Sequence, residues 1–388
     1  MKLSKLISYF FLFLLAMLPL SAFGQATSTI PPAHPSLYKG VRPLGMGNAF
    51  VAMPGSDENA MFYNPAAIND YEPGIDFRFV SPTIDFTTSS IQLVKDVVDL
   101  ADEINDEEGD VSAQIDTFET FVNAHTGEFH SLDVRLPVFM VLNKYLSLGT
   151  LVDSRTTVSF RNRSFSNFEL QSRSDAGGVI GGAYGFFEEQ LQVGVNVKVL
   201  HRISVDQVLT IDDIFATDDF KDAMPIERAT GVGVDLGLKG KVPTFDLKAL
   251  EVLKPTVGFT WQDIGNTRFA GDVVDTEQSI SLGAAIHPTF HLGKHEFQNH
   301  FDLDLRELNQ PVSFSKKLFF GYELMGPRFL GFFQPSVRIG AQQLYLAAGT
   351  SLDLRFVKVE FATYAEEVGR FTRQQPSRRI AGALVFGF

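Results

Sequence analysis

The chain has no cysteine and a single tryptophan in 388 residues. Without cysteine there is no disulfide framework, no thiolate nucleophile, no cysteine-held zinc or iron–sulfur centre and no acylated cysteine to anchor the chain to a membrane. Burial and backbone pairing alone must hold the fold. Basic residues are in deficit, with a formal charge of −13, and so acidic a chain disfavours nucleic acid or any other polyanion as a partner. Long hydrophobic runs are missing as well: beyond Leu20 every apolar stretch is broken by glycine or a charge, and none has the length of a transmembrane helix. There is no His-Glu-x-x-His pair, no phosphate-cradling glycine loop and no serine in a nucleophile elbow. Carboxylates are plentiful, but none forms a distinguishable pair. No catalytic residue, metal or cofactor is therefore expected, and the chain reads as a non-enzyme.

The two ends of the chain supply the strongest positive signals. Lys2 and Lys5 precede the apolar run Leu6 to Leu20, and Ala22-Phe23-Gly24 offers small residues to signal peptidase, so residues 1–24 read as an export signal cleaved before Gln25. Losing the two lysines takes the charge from −13 to −15. At the other end Ile380, Leu384, Phe386 and Phe388 share one strand face with Gly382, while Ala381, Ala383, Val385 and Gly387 share the opposite face. In an exported chain this is the pattern of the closing strand of an outer-membrane β-barrel, with the greasy face toward lipid and the small face toward the lumen. Phe386 and Phe388 then serve as the terminal membrane-insertion signal. Barrel-assembly machinery and outer-membrane lipid follow as partners, and the outer membrane of a Gram-negative bacterium as the location.

Between the ends, residues 25–73 lack sustained alternation, whereas residues 74–388 are dominated by it. Leu191, Val193, Val195, Val197 and Val199 alternate with Gln192, Gly194, Asn196 and Lys198; Val232 to Leu238 and Phe297 to Leu305 repeat the pattern, with charges on one face only. A soluble β-sandwich alternates too, and it is the termini that favour the membrane. The fold class predicted is all-β, a transmembrane antiparallel barrel of about fourteen strands. Their centres fall near Phe79, Leu136, Val152, Ile180, Val195, Val234, Val257, Leu282, Leu303, Phe320, Val337, Ala348, Val359 and Leu384. The stretch Lys144 to Arg173 has room for an additional hairpin. Residues 89–127, 203–228 and 262–276 read as extracellular insertions, the first with two amphipathic helices and a dense acidic run through Asp110. Two connections fit this scheme badly: Gly240 to Leu253 is long for a periplasmic turn, and Gln342-Gln343 is short for an outer loop. Arg306, Lys198, Lys239, Arg338, Lys358, Asp302, Asp304, Asp353 and Glu360 are expected to face a solvated lumen and to anchor what lies in it.

Arg42 to Ile68 reads RPLGMGNAFVAMPGSDENAMFYNPAAI. Through Gly45-Met46-Gly47, the apolar Ala49 to Ala52, the acidic Asp57-Glu58 and Asn64-Pro65-Ala66 it resembles the FadL-type superfamily of outer-membrane proteins, which includes long-chain fatty-acid and aromatic-hydrocarbon transporters and PorV-like barrels. The resemblance implies that residues 25–73 form a hatch inside a fourteen-stranded barrel. Gly45, Gly47, Asn64, Pro65 and Ala66 suit tight turns and close backbone approach. Met46, Phe50, Met53, Met61, Phe62 and Tyr63 are candidates for lining an apolar ligand pocket, though packing on the barrel wall explains them equally well. His287, His291, His295 and His300 have nearly helical spacing, but Pro288 and Gly293 break a helix there, so no metal site is expected. The function implied is passage of hydrophobic small molecules, fatty-acid-like or aromatic; a PorV-like barrel that docks secreted or surface proteins is the alternative, and a soluble secreted β-protein the third.

Overall fold

The computed structural model describes residues 37–71, 74–107, 110–162, 166–210, 225–243, 247–369 and 374–387. The export signal, residues 25–36 of the hatch and Phe388 lie outside the described residues. Sixteen strands follow one another: β1 (Asp76–Phe79), β2 (Thr83–Thr87), β3 (Phe129–Leu142), β4 (Leu146–Asn162), β5 (Ser166–Phe186), β6 (Leu191–Thr210), β7 (Glu227–Lys241) and β8 (Thr256–Gln262), then β9 (Ser279–Ile286), β10 (Thr289–Leu292), β11 (His295–Leu305), β12 (Leu318–Met325), β13 (Gln334–Gln342), β14 (Tyr345–Asp353), β15 (Val357–Glu367) and β16 (Pro376–Gly387). All neighbours pair antiparallel. β1 and β2 each pair with both β3 and β16, which makes them one interrupted stave and closes the sheet on itself. β9 and β10 both pair with β11 and form a second interrupted stave. The sixteen segments are thus a closed barrel of 14 staves. Each interruption contains a proline, Pro82 or Pro288, which has no N–H to give to the ladder.

All fourteen strand centres read from the sequence fall within these staves, one to each. The faces also divide as alternation predicts. Along β7, Gly231, Gly233, Asp235, Gly237 and Lys239 are buried, while Val232 is 58% exposed on the outer side. Ala381, Ala383 and Val385 of β16 are buried against Val41 and Leu44, and Leu384 and Phe386 face outward. A closed sheet with an apolar exterior satisfies every interior backbone group of a membrane-spanning chain, which locates the protein in the outer membrane. Tyr145, Phe187, Leu330 and Phe356, all exposed, sit at the periplasmic connections, where aromatic and apolar side chains meet the headgroup layer.

Two expectations about length change. Among the described residues of 144–173 there is no additional hairpin; β4 and β5 instead run for 17 and 21 residues in unbroken register, and β6 for 20. Crossing a bilayer takes only about 9–11 tilted residues, so these three strands stand above the membrane. Residues 203–210 belong to β6 and Glu227-Arg228 to β7, which shortens the insertion set at 203–228 from both sides. The misfitting connections have local explanations. The long one carries the short helix Lys248–Leu253, and the short one is a tight turn with Gln343 and Leu344 both at positive φ, 52° and 67°. The first insertion does form two helices, Ser90–Asp106 and Val111–Ala124. Their inner faces, Leu93, Phe118, Phe121 and Val122, pack on Val158, Phe160, Phe168 and Leu170 of the raised β4–β5 hairpin.

Candidate functional site: the lumen and its N-terminal segment

Residues 37–71 lie inside the barrel as two short helices, Val41–Gly45 and Asn59–Tyr63, and a 3-10 turn, Pro65–Asp70. Glycines in the wall let the segment come this close. A Cβ on Gly321 or Gly340, directly paired across β12 and β13, would meet Met46 at 2.6 and 2.3 Å. The pair Gly258 and Gly283 receives Val51 and Ala52 in the same way, and Gly194 and Gly237 receive Pro65 and Ala66. Three cross-strand glycine pairs therefore seat three turns of the segment. Gly47 has φ +62°, as its motif suggests; Gly45 is instead the last residue of a helix, and its lack of a side chain serves contact with Gly349, whose Cα a Cβ would meet at 3.0 Å. Asn64 caps the 3-10 turn by accepting from Ala66 N at 3.1 Å, and its amide donates to Val51 O at 2.8 Å and to Leu238 O at 3.1 Å. Pro65 follows in the first position of that turn.

Charged side chains clamp the segment from around the wall. Glu323 of β12 accepts from Arg42 at 2.6 Å and from Arg338 at 2.6 Å, and Arg42 also reaches Asp57 at 2.8 Å. Asp304 of β11 accepts the backbone N–H groups of Phe50 and Val51 at 2.7 and 3.0 Å. Lys239 donates to Met53 O at 2.9 Å and pairs with Asp70. Lys39 pairs with Glu366 at 2.7 Å, Arg306 donates to Asn48 O at 2.9 Å, and Lys358 pairs with Glu360 at 2.8 Å. The charged rows do face inward, as expected. Arg306, Lys198, Lys239, Arg338, Asp302, Asp304 and Glu360 are all buried, and pairing within the wall and to the segment forms the clamps described. Asp353 departs from the set, since it lies at the rim and pairs with Arg328 at 2.7 Å.

Met46, Phe50, Met53, Met61, Phe62 and Tyr63 are buried in a single apolar cluster. Phe62 packs on Tyr38 with ring centroids 4.5 Å apart, and Phe50 meets Tyr63 edge-on at 5.3 Å. The cluster extends down to Leu142 and Ala183, near the periplasmic ends of β3 and β5, and up to Phe269 and Val273 of the loop between β8 and β9. That loop, read from the sequence as an extracellular insertion, folds into the mouth. Arg202 lies over the Phe269 ring at 4.1 Å and donates to Val274 O at 2.6 Å, and a Cβ on Gly231 would meet Phe269 at 2.8 Å. The alternation of Gly231 and Gly233 with Val232 and Val234 was the available sign of an inner surface kept clear for something. A gap of about 10 Å³ remains between Leu37, Phe62, Lys198, Asp235, Gln262 and Asp263, room for one water.

Of the four histidines, His287 and His300 meet inside the lumen with their Nδ1 atoms 2.9 Å apart, and Thr256 joins His287 Nε2 to Ala52 O through bonds of 2.9 Å each. His291 is at the surface, 3.4 Å from Glu296.

No family model matches the chain, and no curated protein does. Among solved structures it is similar to a deletion mutant of TodX, a monoaromatic hydrocarbon channel, at 9% identity and a TM-score of 0.49 over 90% of this chain and 98% of that one. It is similar as well to the toluene transporters TbuX of Ralstonia pickettii (9%, TM-score 0.45) and TodX of Pseudomonas putida (9%, TM-score 0.44), in each case over 90% of this chain and 97% of the other.

Proposed function

We propose that the protein passes hydrophobic small molecules, fatty-acid-like or aromatic, across the outer membrane. One observation carries this reading. In a lumen whose wall is lined with paired charges, a single apolar cluster runs from Phe269 and Val273 at the outer mouth, through the N-terminal segment, to Leu142 and Ala183 near the periplasmic end. A channel for polar solutes has no use for such a column, because apolar lining favours ligands that leave water with it. The resemblance of Arg42 to Ile68 to the FadL-type superfamily supports the same reading. Met46, Met53 and Met61 supply adaptable contacts along the path, and the N-terminal segment acts as a plug that must shift to let ligand through. No covalent chemistry is involved, and downhill partition of the ligand drives the flux. The test is mass-spectrometric identification of small molecules retained through mild detergent purification, followed by binding assays with fatty acids, alkanes and monoaromatics. Saturable binding that weakens in Phe62→Ser is expected; no binding of any of the three classes removes the reading.

A second reading, docking of secreted or surface proteins, has its own observation. Ile91, Val94 and Val98 form an exposed apolar stripe on the extracellular helix Ser90–Asp106. Partners that copurify and are lost when Val94 and Val98 become Asp would favour it.

A further inference from the structure

Ser89, Glu128 and His130 meet at the outer rim and take no part in the lumen. Ser89 immediately precedes the helix Ser90–Asp106, just past the upper end of β2, and Glu128 and His130 stand at the upper end of β3. Ser89 Oγ lies 3.2 Å from His130 Nδ1, and His130 Nε2 lies 3.0 Å from Glu128 Oε2. His130 is buried, 3% exposed, and packs edge-on against Phe160 at 6.0 Å, while Ser89 is exposed to solvent and the Glu128 side chain is 44% exposed. The bonding fixes the proton order. Ionised Glu128 only accepts, so Nε2 of the imidazole carries the proton and Nδ1 is left as the acceptor for the Ser89 hydroxyl. The other acceptor near Oγ is Phe129 O, at 3.5 Å, the limit of a hydrogen bond. Hydroxyl, imidazole and carboxylate in this order make an activated nucleophile. The two ring nitrogens have exchanged the roles most serine hydrolases give them, but either is a base when the other is protonated.

We propose that Ser89, His130 and Glu128 form a hydrolytic site for carboxylic esters of acyl lipids in the outer leaflet. The strand faces place it. Ser131, Asp133 and Arg135 of β3 point into the lumen and are buried, so His130 lies on the outer side of the wall, there packed against Phe160, with Glu128 just before the strand. On that face, just below, Leu132 is paired with Phe86 and Val134 with Ile84, and Ile84 and Val134 are exposed to lipid. An acyl chain lying on this strip brings its ester linkage up to the level of Ser89. His130 Nδ1 takes the proton as Ser89 Oγ bonds to the ester carbonyl carbon, and the carbonyl electron pair moves to oxygen. A donor for that oxyanion is the hydroxyl of Ser90, which is buried without a partner; the N–H groups of Ile91, Gln92 and Leu93 in the first turn of the helix are already given to Thr88 O and Ser89 O. When the carbonyl re-forms, the C–O bond to the alcohol breaks and His130 returns the proton to the departing oxygen. Water then attacks the acyl-serine, giving its proton to His130; the bond to Oγ breaks, the carboxylic acid leaves, and the proton goes back to Oγ. No oxidant or reductant is needed. Ser89 and His130 are the catalytic residues, and Glu128 is a positioning residue that holds the tautomer.

The test treats the folded full-length protein in detergent with a fluorophosphonate probe and maps the adduct by mass spectrometry. In parallel, fatty-acid release is measured from vesicles of diacyl phospholipid and, separately, of an acylated glycolipid. A probe adduct on Ser89 is expected, abolished in Ser89→Ala and reduced at least about a hundredfold in His130→Gln. Glu128→Gln should lower labelling and alter its pH profile, with partial rescue in Glu128→Asp, which a merely structural role for Glu128 would not produce. Release from one vesicle type identifies the lipid. An unlabelled Ser89 in protein that keeps its barrel's gel mobility overturns the site, and labelling without release from either lipid overturns the substrate class. Neither result depends on ligand passage through the lumen.

Discussion

Gly47 combines φ +62° with a wall so close that a Cβ would sit 2.4 Å from Ala341 N. Gly47→Ala therefore meets both backbone strain and a clash with main chain that has no side chain to swing aside. Protease resistance of residues 37–71 is expected to fall in this variant while the barrel survives; unchanged resistance would show that the glycine seat does not hold the segment. Arg42 illustrates the charge clamps. Removing it leaves Glu323 buried with only Arg338, and breaking such a pair costs about 3–5 kcal/mol. Arg42→Ala should lower the melting temperature, and adding Glu323→Gln should recover part of the loss, a coupling that a double-mutant cycle reads directly. Asp96, on the extracellular helix Ser90–Asp106, offers a pH dependence free of the membrane. Burial pushes its pKa up, but hydrogen bonds from Gln92 and His125 outweigh this and hold the carboxyl below its ordinary value. A carboxyl depressed by folding stabilises the fold above its unfolded pKa of about 3.9, and that contribution is lost as pH falls through the folded value. Hydrogen exchange of the two helices should accelerate over that acid window in the wild type and lose this component in Asp96→Asn.

At the scale of elements, the membrane-facing rows were legible because a strand's two faces are set by period two, which needs no tertiary knowledge. Leu303 was placed on the lipid side of β11 by alternation with Asp302 and Asp304, and it is 51% exposed there. Leu303→Arg at the bilayer midplane is expected to cost about 2–4 kcal/mol, and near the rim much less; folding titrations into vesicles check it, and a negligible cost would mean that the face is wrongly assigned. Strand ends were harder to read. β5 and β6 carry polar residues on both faces above Asp175 and Arg202, which resembles loop composition, yet they continue as a ladder because each strand finds its partner in the other and the helix pair covers one side. The inward fold of the loop between β8 and β9 was missed for a related reason. Its seat is built from Gly231 and Gly233, whose meaning depends on which residues approach from another part of the chain.

For the whole molecule, the closed wall and the filled lumen make opposite demands. The wall closes on itself through backbone pairing interrupted at the staves that contain Pro82 and Pro288, and the segment within is held by glycine seats, paired charges and one apolar cluster. For a ligand to pass as proposed, either these contents move or the wall opens laterally. Double-cysteine variants in this cysteine-free chain, linking residue 46 to residue 340, are expected to abolish uptake of a hydrophobic ligand under oxidation and to restore it on reduction. Uptake that persists when cross-linked would show that ligand bypasses the segment.

The sequence by itself determined the architecture: alternation sets which side chains meet lipid, and the fourteen strand centres set how many staves close the ring. Both follow from interactions within a strand or between neighbours, which a linear pattern can carry. Tertiary structure alone decided which carboxylate meets which cation, that the charged rows are buried around the segment, and that Ser89, Glu128 and His130 come together. Those outcomes depend on the register between strands and on how far each rises above the membrane. Distances across a ring are set by all of its members at once, and no local run of residues records them.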